Sequence, residues 1–137
     1  MRHRLTLTLL SFLVLASTAL AGTEVFTVSS VPASQVPRDA VVVELDKPAR
    51  LDTALSEKLP VNREAAAEQV RQRLRSAEWR DTINQYERAY TGLVRAWQLG
   101  VEQVPAVVVD GQYVVYGEPN VRKALAEIRA HQEKEIP

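Results

Sequence analysis

The sequence from residue 99 to residue 117 constrains the fold more than any other part of this chain. Gly100 follows the last apolar residue of a helical pattern, where a left-handed cap commonly ends a helix. Pro105 has no N–H to donate to a sheet, so it must stand at the start or at the edge of a strand. Asp110-Gly111 predicts a hairpin because its turn needs positive φ at both central residues. The segment therefore predicts a helix end, two strands and a closing glycine: Ala106–Val109, Tyr113–Tyr116 and Gly117.

Two further apolar runs lie nearer the N-terminus. Residues 24–29 predict a first strand, and Val41–Leu45 predicts a second. The second run has almost no polar interruption, which is typical of a strand covered on both faces. A loop with two prolines separates these strands.

Helical patterns fill the middle and the end of the chain. The predicted elements are a short helix over 51–59, a helix capped by Asn62, and a pattern from Trp79 to Trp97 that is one long helix or two separated near Ser76-Ala77. A terminal helix follows, with Pro119 at its first position. This order predicts an α/β fold with a central four-stranded mixed sheet, flanking helices and an enlarged middle helical section. An α+β sandwich with another strand order is the alternative.

The proline-strand-hairpin arrangement resembles the C-terminal half of the thioredoxin and glutaredoxin folds. The first strand and loop, Val25-Phe-Thr-Val-Ser-Ser-Val-Pro-Ala-Ser34, resembles the N-terminal half of glutaredoxins. This resemblance implies a cis bond between Val104 and Pro105. Val31 and Ser34 occupy the positions of the two redox cysteines, and the chain has no cysteine at all. Because a dithiol reaction needs a thiolate and a second thiol, we expect no disulfide chemistry.

The first 21 residues have the three regions of a secretory signal peptide. Residues 2–4 are basic, Leu5–Leu15 is apolar, and Ala19-Leu20-Ala21 is a cleavage motif before Gly22. A membrane anchor is the alternative, but the apolar run is shorter than the ~20 residues that span a bilayer. We therefore expect cleavage of residues 1–21, a single thioredoxin-like domain over 22–137, a periplasmic or secreted location, and no stable membrane insertion afterwards.

Composition excludes several classes of partner and cofactor. Cleavage would remove Arg2 and Arg4 from the 17 basic residues, leaving 15 against 17 acidic residues and a net charge of −2. Such a charge gives no general attraction to nucleic acid, so we expect no nucleic-acid partner. His3 lies in the signal and His131 in a polar C-terminal stretch. Without cysteines or a histidine cluster, the sequence predicts no metal site and no cofactor.

The loop around residues 29–34 is the candidate functional region. Its serines lack an apparent base, so hydrogen bonding within the loop is the favoured role. In thioredoxin-like proteins this loop and the cis-proline form a shallow apolar patch that binds extended chains. The candidate patch here comprises Val31, Pro32, Val104 and Pro105, and closing the core is an equally weighted alternative for these residues. Aromatic residues between Trp79 and Trp97 have helical spacing that favours the core.

One series of blocks resembles a narrower family. Ala89-Tyr-Thr-Gly92, Ala96-Trp-Gln-Leu-Gly-Val101, Pro105-Ala-Val-Val-Val-Asp110 and Tyr113-Val-Val-Tyr-Gly117 occur in the order seen in small secreted proteins encoded by bacterial integrating conjugative elements. Asn120 replaces a more usual aspartate there. This resemblance implies a thioredoxin-like periplasmic protein of a conjugative, type IV secretion-like apparatus, whose partners are other proteins of that apparatus. It supplies no catalytic residues.

The sequence thus leaves two functional hypotheses. The first is a non-catalytic, protein-binding component of the transfer apparatus. The alternative is an envelope hydrolase or transferase that uses carboxylates or serines near the 29–34 loop, which would require converging acidic or hydroxyl groups in a pocket.

Overall fold

The structure, a computed structural model, describes residues 22–135. The predicted signal peptide lies outside the described residues. The elements in chain order are β1 (Thr23–Thr27), β2 (Val41–Glu44), α1 (Lys47–Ser56), α2 (Arg63–Leu74), α3 (Ala77–Gln98), β3 (Ala106–Val109), β4 (Tyr113–Tyr116) and α4 (Val121–Glu135).

The four strands form one mixed sheet in the order β2-β1-β3-β4. β1 runs parallel to β2 and antiparallel to β3, and β3 runs antiparallel to β4. This arrangement is thioredoxin-like, and α1, α2 and α3 together make the enlarged helical section between β2 and β3. The predicted fold class is confirmed, and the α+β sandwich with another strand order is wrong.

Each face of the sheet carries its own core cluster because side chains alternate along each strand. Val25 and Val107 pack with Val121 and Ala124 of α4 on one face. Phe26 and Ala106 lie on the opposite face, and the cluster there includes Ala96 of α3 and Val108. The sheet therefore lies between α4 and α3.

The connection from β1 to β2 contains no helix. Parallel neighbours need a crossover of a dozen or more residues, and that crossover is usually helical. Here residues 28–40 make the crossover in irregular backbone. Ala33, Val36 and Ala40 pack against the cluster on the α4 face, so the segment covers this part of the sheet.

The segment from 99 to 117 has the predicted structure. Gly100 has φ 66°, and hydrogen bonds from Val101 N–H to the Ala96 carbonyl (3.0 Å) and from Gly100 N–H to the Trp97 carbonyl (3.0 Å) end α3. Asp110 and Gly111 both have positive φ (54° and 66°), as the hairpin requires. Gly117 has φ 77°, and the Val104–Pro105 bond is cis, as predicted.

The helical section differs from the prediction in its boundaries. The first helix begins at Lys47 rather than Leu51, because Pro48 is compatible with a helix start and Asp46 precedes it. The middle helices are separate: Ser76 accepts a hydrogen bond from Trp79 N–H and caps α3, so the two-helix interpretation is the correct one. The last helix begins at Val121, two residues after Pro119, because the Asn120 side chain accepts from Lys123 N–H.

The expected coverage of β2 is wrong for its first residues. Val41 is 57% exposed and Val42 is 45% exposed. β2 is an outer strand, and β1 is its one neighbour in the sheet of the described residues. The apolar residues of β2 therefore lie at the outer edge of the sheet.

Candidate functional site

The segment that follows β1 is fixed to both β1 and the start of α4. Val31 N–H donates to the Val28 carbonyl at 2.9 Å, and the Thr27 hydroxyl donates to the Val31 carbonyl. Further on, Ser34 N–H donates to the Pro119 carbonyl at 2.8 Å, and Val121 N–H donates to the Ser34 carbonyl at 3.0 Å. We call residues 28–34 the bridge segment, since it connects the end of β1 to the start of α4.

Two serines of the bridge segment have hydrogen-bonding roles, as the sequence analysis favoured. The Ser34 hydroxyl lies 3.4 Å from the Pro119 carbonyl oxygen. Ser29 donates twice to Asp46, once from its backbone N–H at 3.1 Å and once from its hydroxyl. These contacts tie the bridge segment to α4 and to the start of α1.

Asp46 is the ionisable group that Ser29 contacts, and sequence reasoning did not identify it. The Ser29 hydroxyl lowers the pKa of Asp46 through its hydrogen bond, and Arg50, with Nε 3.4 Å from Asp46 Oδ2, acts in the same direction. A carboxylate with a lowered pKa is a weaker base. The available signal was Asp46-Lys-Pro48, in which an acidic residue precedes a proline at a helix start.

The four candidate patch residues differ in burial. Continuing the pairing of Phe26 with Ala106 by two residues places Val28 opposite Val104, and Val28 forms a bridge with Val31. Pro105 is buried, Val104 and Val31 are half-buried, and Pro32 is exposed. Val104 packs on the α3-face cluster. Pro105 thus closes the core, whereas Pro32 and parts of the two valines remain at the surface.

Two clefts lie elsewhere on the molecule. The larger, about 430 Å³, lies between α1 and the start of α3 and is lined by apolar side chains such as Leu51, Leu55 and Trp79. The second, about 360 Å³, lies between β4 and α4 and includes Tyr113 and His131. Neither cleft is lined by a residue of the bridge segment.

Arg73 lines the larger cleft, and its guanidinium is hydrogen-bonded to backbone carbonyls. Its guanidinium donates to the carbonyls of Leu55 and Lys58, each at 3.2 Å, near the end of α1. On the neighbouring surface, the Tyr86 hydroxyl donates to Asp52 at 2.7 Å. That hydrogen bond is the main cause that raises the pKa of Tyr86 to about 12. These polar groups join the helices to one another.

The helical aromatic residues are less buried than their spacing predicts. Trp79 and Tyr86 are half-buried. Tyr90 is exposed, and Trp97 is 82% exposed. The expectation that the aromatic residues of this helix lie in the core is therefore wrong for the C-terminal part of α3.

Residues 22–135 lack two features that would indicate ion binding or a membrane span. In this range no group of three histidine, cysteine or acidic side chains is placed to hold a metal ion. Among the helices of the same residues, none combines the length and hydrophobicity that crossing a bilayer requires.

Comparison with known proteins places the chain in a family. One family model, described as "Protein of unknown function (DUF1525)", matches residues 20–134. No curated protein matches the sequence. No solved structure matches it either. Because the match extends over more than half of the sequence, the chain belongs to the DUF1525 family of proteins of unknown function.

Proposed function

We propose that this protein is a non-catalytic binding module that holds another protein at the surface formed by the bridge segment and Val104. The chain has a thioredoxin-like sheet and a cis-proline but no cysteine. The redox positions carry Val31 and Ser34, neither of which can form the thiolate that disulfide exchange requires.

The hydrogen bonding of the bridge segment is the observation that carries this proposal. Ser34 is bound to the backbone around Pro119, and Ser29 is bound to Asp46. Since these polar groups fix the backbone, Pro32 is presented at the surface on a constrained segment. A preorganised apolar surface loses little conformational entropy when it binds a partner.

The partner that fits this surface best is an extended peptide of another protein. Pro32 is exposed, Val31 next to it in the chain is half-buried, and Val104 is half-buried too, so the proposed surface is apolar. Such surfaces accept an extended chain through side-chain contacts and backbone hydrogen bonds.

The cellular setting in our proposal is the periplasmic side of a conjugative-transfer apparatus. Its support is the ordered series of sequence blocks from Ala89 to Gly117, together with the N-terminal signal pattern. A gene neighbourhood rich in mating-pair or type IV secretion genes would agree with this setting. A stand-alone gene among metabolic operons would contradict it.

An enzyme of the cell envelope is the second candidate, and the Ser29–Asp46 pair is the observation that favours it. The pair joins a hydroxyl to a carboxylate, as a nucleophile and base would be joined. The lowered pKa of Asp46 makes it a poor base, so we rank this candidate second. If Ser29→Ala removed a hydrolase activity of the purified protein while its circular dichroism spectrum stayed the same, the enzyme hypothesis would replace ours.

The binding proposal is tested with a charge placed on the surface. Val31→Asp adds a carboxylate beside Pro32, and Val61→Asp adds the same group at an exposed position between α1 and α2. In a strain whose own copy of the gene is deleted, we expect Val61→Asp to restore DNA transfer and Val31→Asp to fail. Normal transfer by a folded Val31→Asp protein would contradict the proposal.

A further inference from the structure

The outer strand β2 leaves an apolar edge uncovered. Leu45 N–H donates to the Thr27 carbonyl at 2.8 Å, so it points toward β1. Because backbone N–H groups alternate along a strand, those of Val42 and Glu44 point away from β1. Natural edge strands are usually protected by short length, charged side chains, proline or a bulge, and the four-residue β2 has one charged residue, Glu44. The sequence of β2 is Val-Val-Val-Glu and contains no lysine or proline.

The helix that packs on β2 also carries an uncovered apolar side. Within α3, four large side chains of the C-terminal part are exposed: Tyr90, Leu93, Val94 and Trp97. The N-terminal part of the helix is partly covered by α1, as the Tyr86–Asp52 hydrogen bond shows. In the described chain, α1 does not extend this cover to Trp97, which remains 82% exposed.

Close packing places these two uncovered regions on one side of the molecule. A Cβ atom at Gly92 would lie only 2.5 Å from Val43 Cγ1, so α3 lies directly against the outer strand. Val41 shares the α3 face with Val43, because alternate side chains of a strand point to the same face, whereas Val42 points to the α4 face. We call the five exposed side chains on this side the β2–α3 surface: Val41, Tyr90, Leu93, Val94 and Trp97.

The β2–α3 surface carries little free charge. Between Tyr90 and Trp97 the single charged residue is Arg95, and its guanidinium donates two hydrogen bonds to Glu24, at 2.8 and 2.7 Å. At the end of β2, Glu44 forms an ion pair with Arg50. Nothing on this surface therefore selects a strongly acidic or basic partner, whereas a copy of the same surface matches it.

We propose that a second copy of this chain covers the β2–α3 surface. Around a two-fold axis, β2 pairs antiparallel with β2 of the other copy, and the exposed side of α3 packs against its counterpart. Such an isologous contact uses one patch on both subunits. Pairing would extend the sheet and would satisfy the outward N–H groups of Val42 and Glu44.

The exposed area is sufficient for this contact. With roughly 150–250 Å² for an aromatic side chain and less for an aliphatic one, the five partly exposed side chains present on the order of 500 Å². Two copies would bury about 1,000 Å², which is the minimum expected of a specific interface.

The first test measures the mass of the full chain in solution. By sedimentation equilibrium we expect a dimer for the wild type, and a folded monomer for Val41→Lys and for Trp97→Lys. Val61→Lys is the matched control, because it makes the same change at an exposed valine outside the β2–α3 surface, and it should remain dimeric. A wild type that stays monomeric up to about 100 µM would overturn the proposal. A dimer that persists in both Val41→Lys and Trp97→Lys would also overturn it.

The second test needs no variant and therefore does not depend on folding of the mutants. Amide hydrogen exchange at Val42 and Glu44 should become slower as protein concentration rises, because dimer formation protects the outward N–H groups. The outer edge of β4 is the internal control and should exchange at a rate independent of concentration. If the exchange rates at the two edges depended on protein concentration in the same way, pairing through β2 would be contradicted.

Discussion

Gly92 is the point where α3 approaches the sheet most closely, and its substitution gives a quantitative test of the packing. Glycine in a helix interior is usually unfavourable by about 1 kcal/mol relative to alanine. If Gly92 had no packing role, Gly92→Ala would therefore stabilise the protein by about that amount. The structure instead predicts that Gly92→Ala destabilises the protein.

The added methyl group would meet Val43 in β2. Its Cβ would lie 2.5 Å from Val43 Cγ1, about 1 Å closer than an ordinary van der Waals contact. Val43 is β-branched, so its side chain has little freedom to rotate away. Overpacking of this kind costs about 1–3 kcal/mol, which exceeds the gain in helix propensity. We expect Gly92→Ala to lower the free energy of unfolding by about 1 kcal/mol.

The clash is removed when Val43 is shortened. In a Val43→Ala background the two γ carbons are absent, so Gly92→Ala should now stabilise by about 1 kcal/mol. The four proteins of this double-mutant cycle would be compared by urea unfolding at one fixed concentration, since a dimer makes stability depend on concentration. Their coupling energy should be about 2 kcal/mol or more. A stabilised Gly92→Ala protein in the wild-type background would refute the reasoning.

Three further predictions concern single groups. The pKa of Tyr86 is raised to about 12, chiefly by its hydrogen bond to Asp52, and ultraviolet titration should show it falling toward 10 in Asp52→Ala. Because the pKa is higher in the folded protein, the stability that this hydrogen bond contributes is complete below pH ~10 and is lost as the pH rises through about 12. Asn62→Ala removes the cap on Ala65 N–H and should cost about 1 kcal/mol in urea unfolding. In Val31→Cys and in Ser34→Cys, pH-dependent alkylation should give a thiol pKa near 8.5, because no helix begins at either position to lower it. A thiol pKa below about 7 would contradict this expectation.

Local signals in the sequence were sufficient for the hairpin and for the end of α3, whereas the arrangement of the sheet was expected from the resemblance to thioredoxin-like folds. Asp110-Gly111 fixes its turn through backbone φ alone, and Gly100 ends its helix in the same way. The contact between Ser29 and Asp46 was not predictable, because it joins two loops and depends on how β1 and β2 are placed side by side. The exposure of Trp97 was also missed. Its spacing indicates that it lies on the apolar side of α3, but it does not show that α1 is too short to cover that side as far as Trp97.

The irregular crossover between β1 and β2 combines residues that pack on the core with one that is exposed. Ala33, Val36 and Ala40 face the core and cover the sheet, while Ser34 binds the backbone at the start of α4. Pro32 lies between these anchored positions and is exposed. Because the neighbours of Pro32 already make the contacts that hold the segment, its side chain is free to contact a partner with little consequence for stability. In our proposal, the anchored residues of the bridge segment hold its backbone while Pro32 contacts the partner.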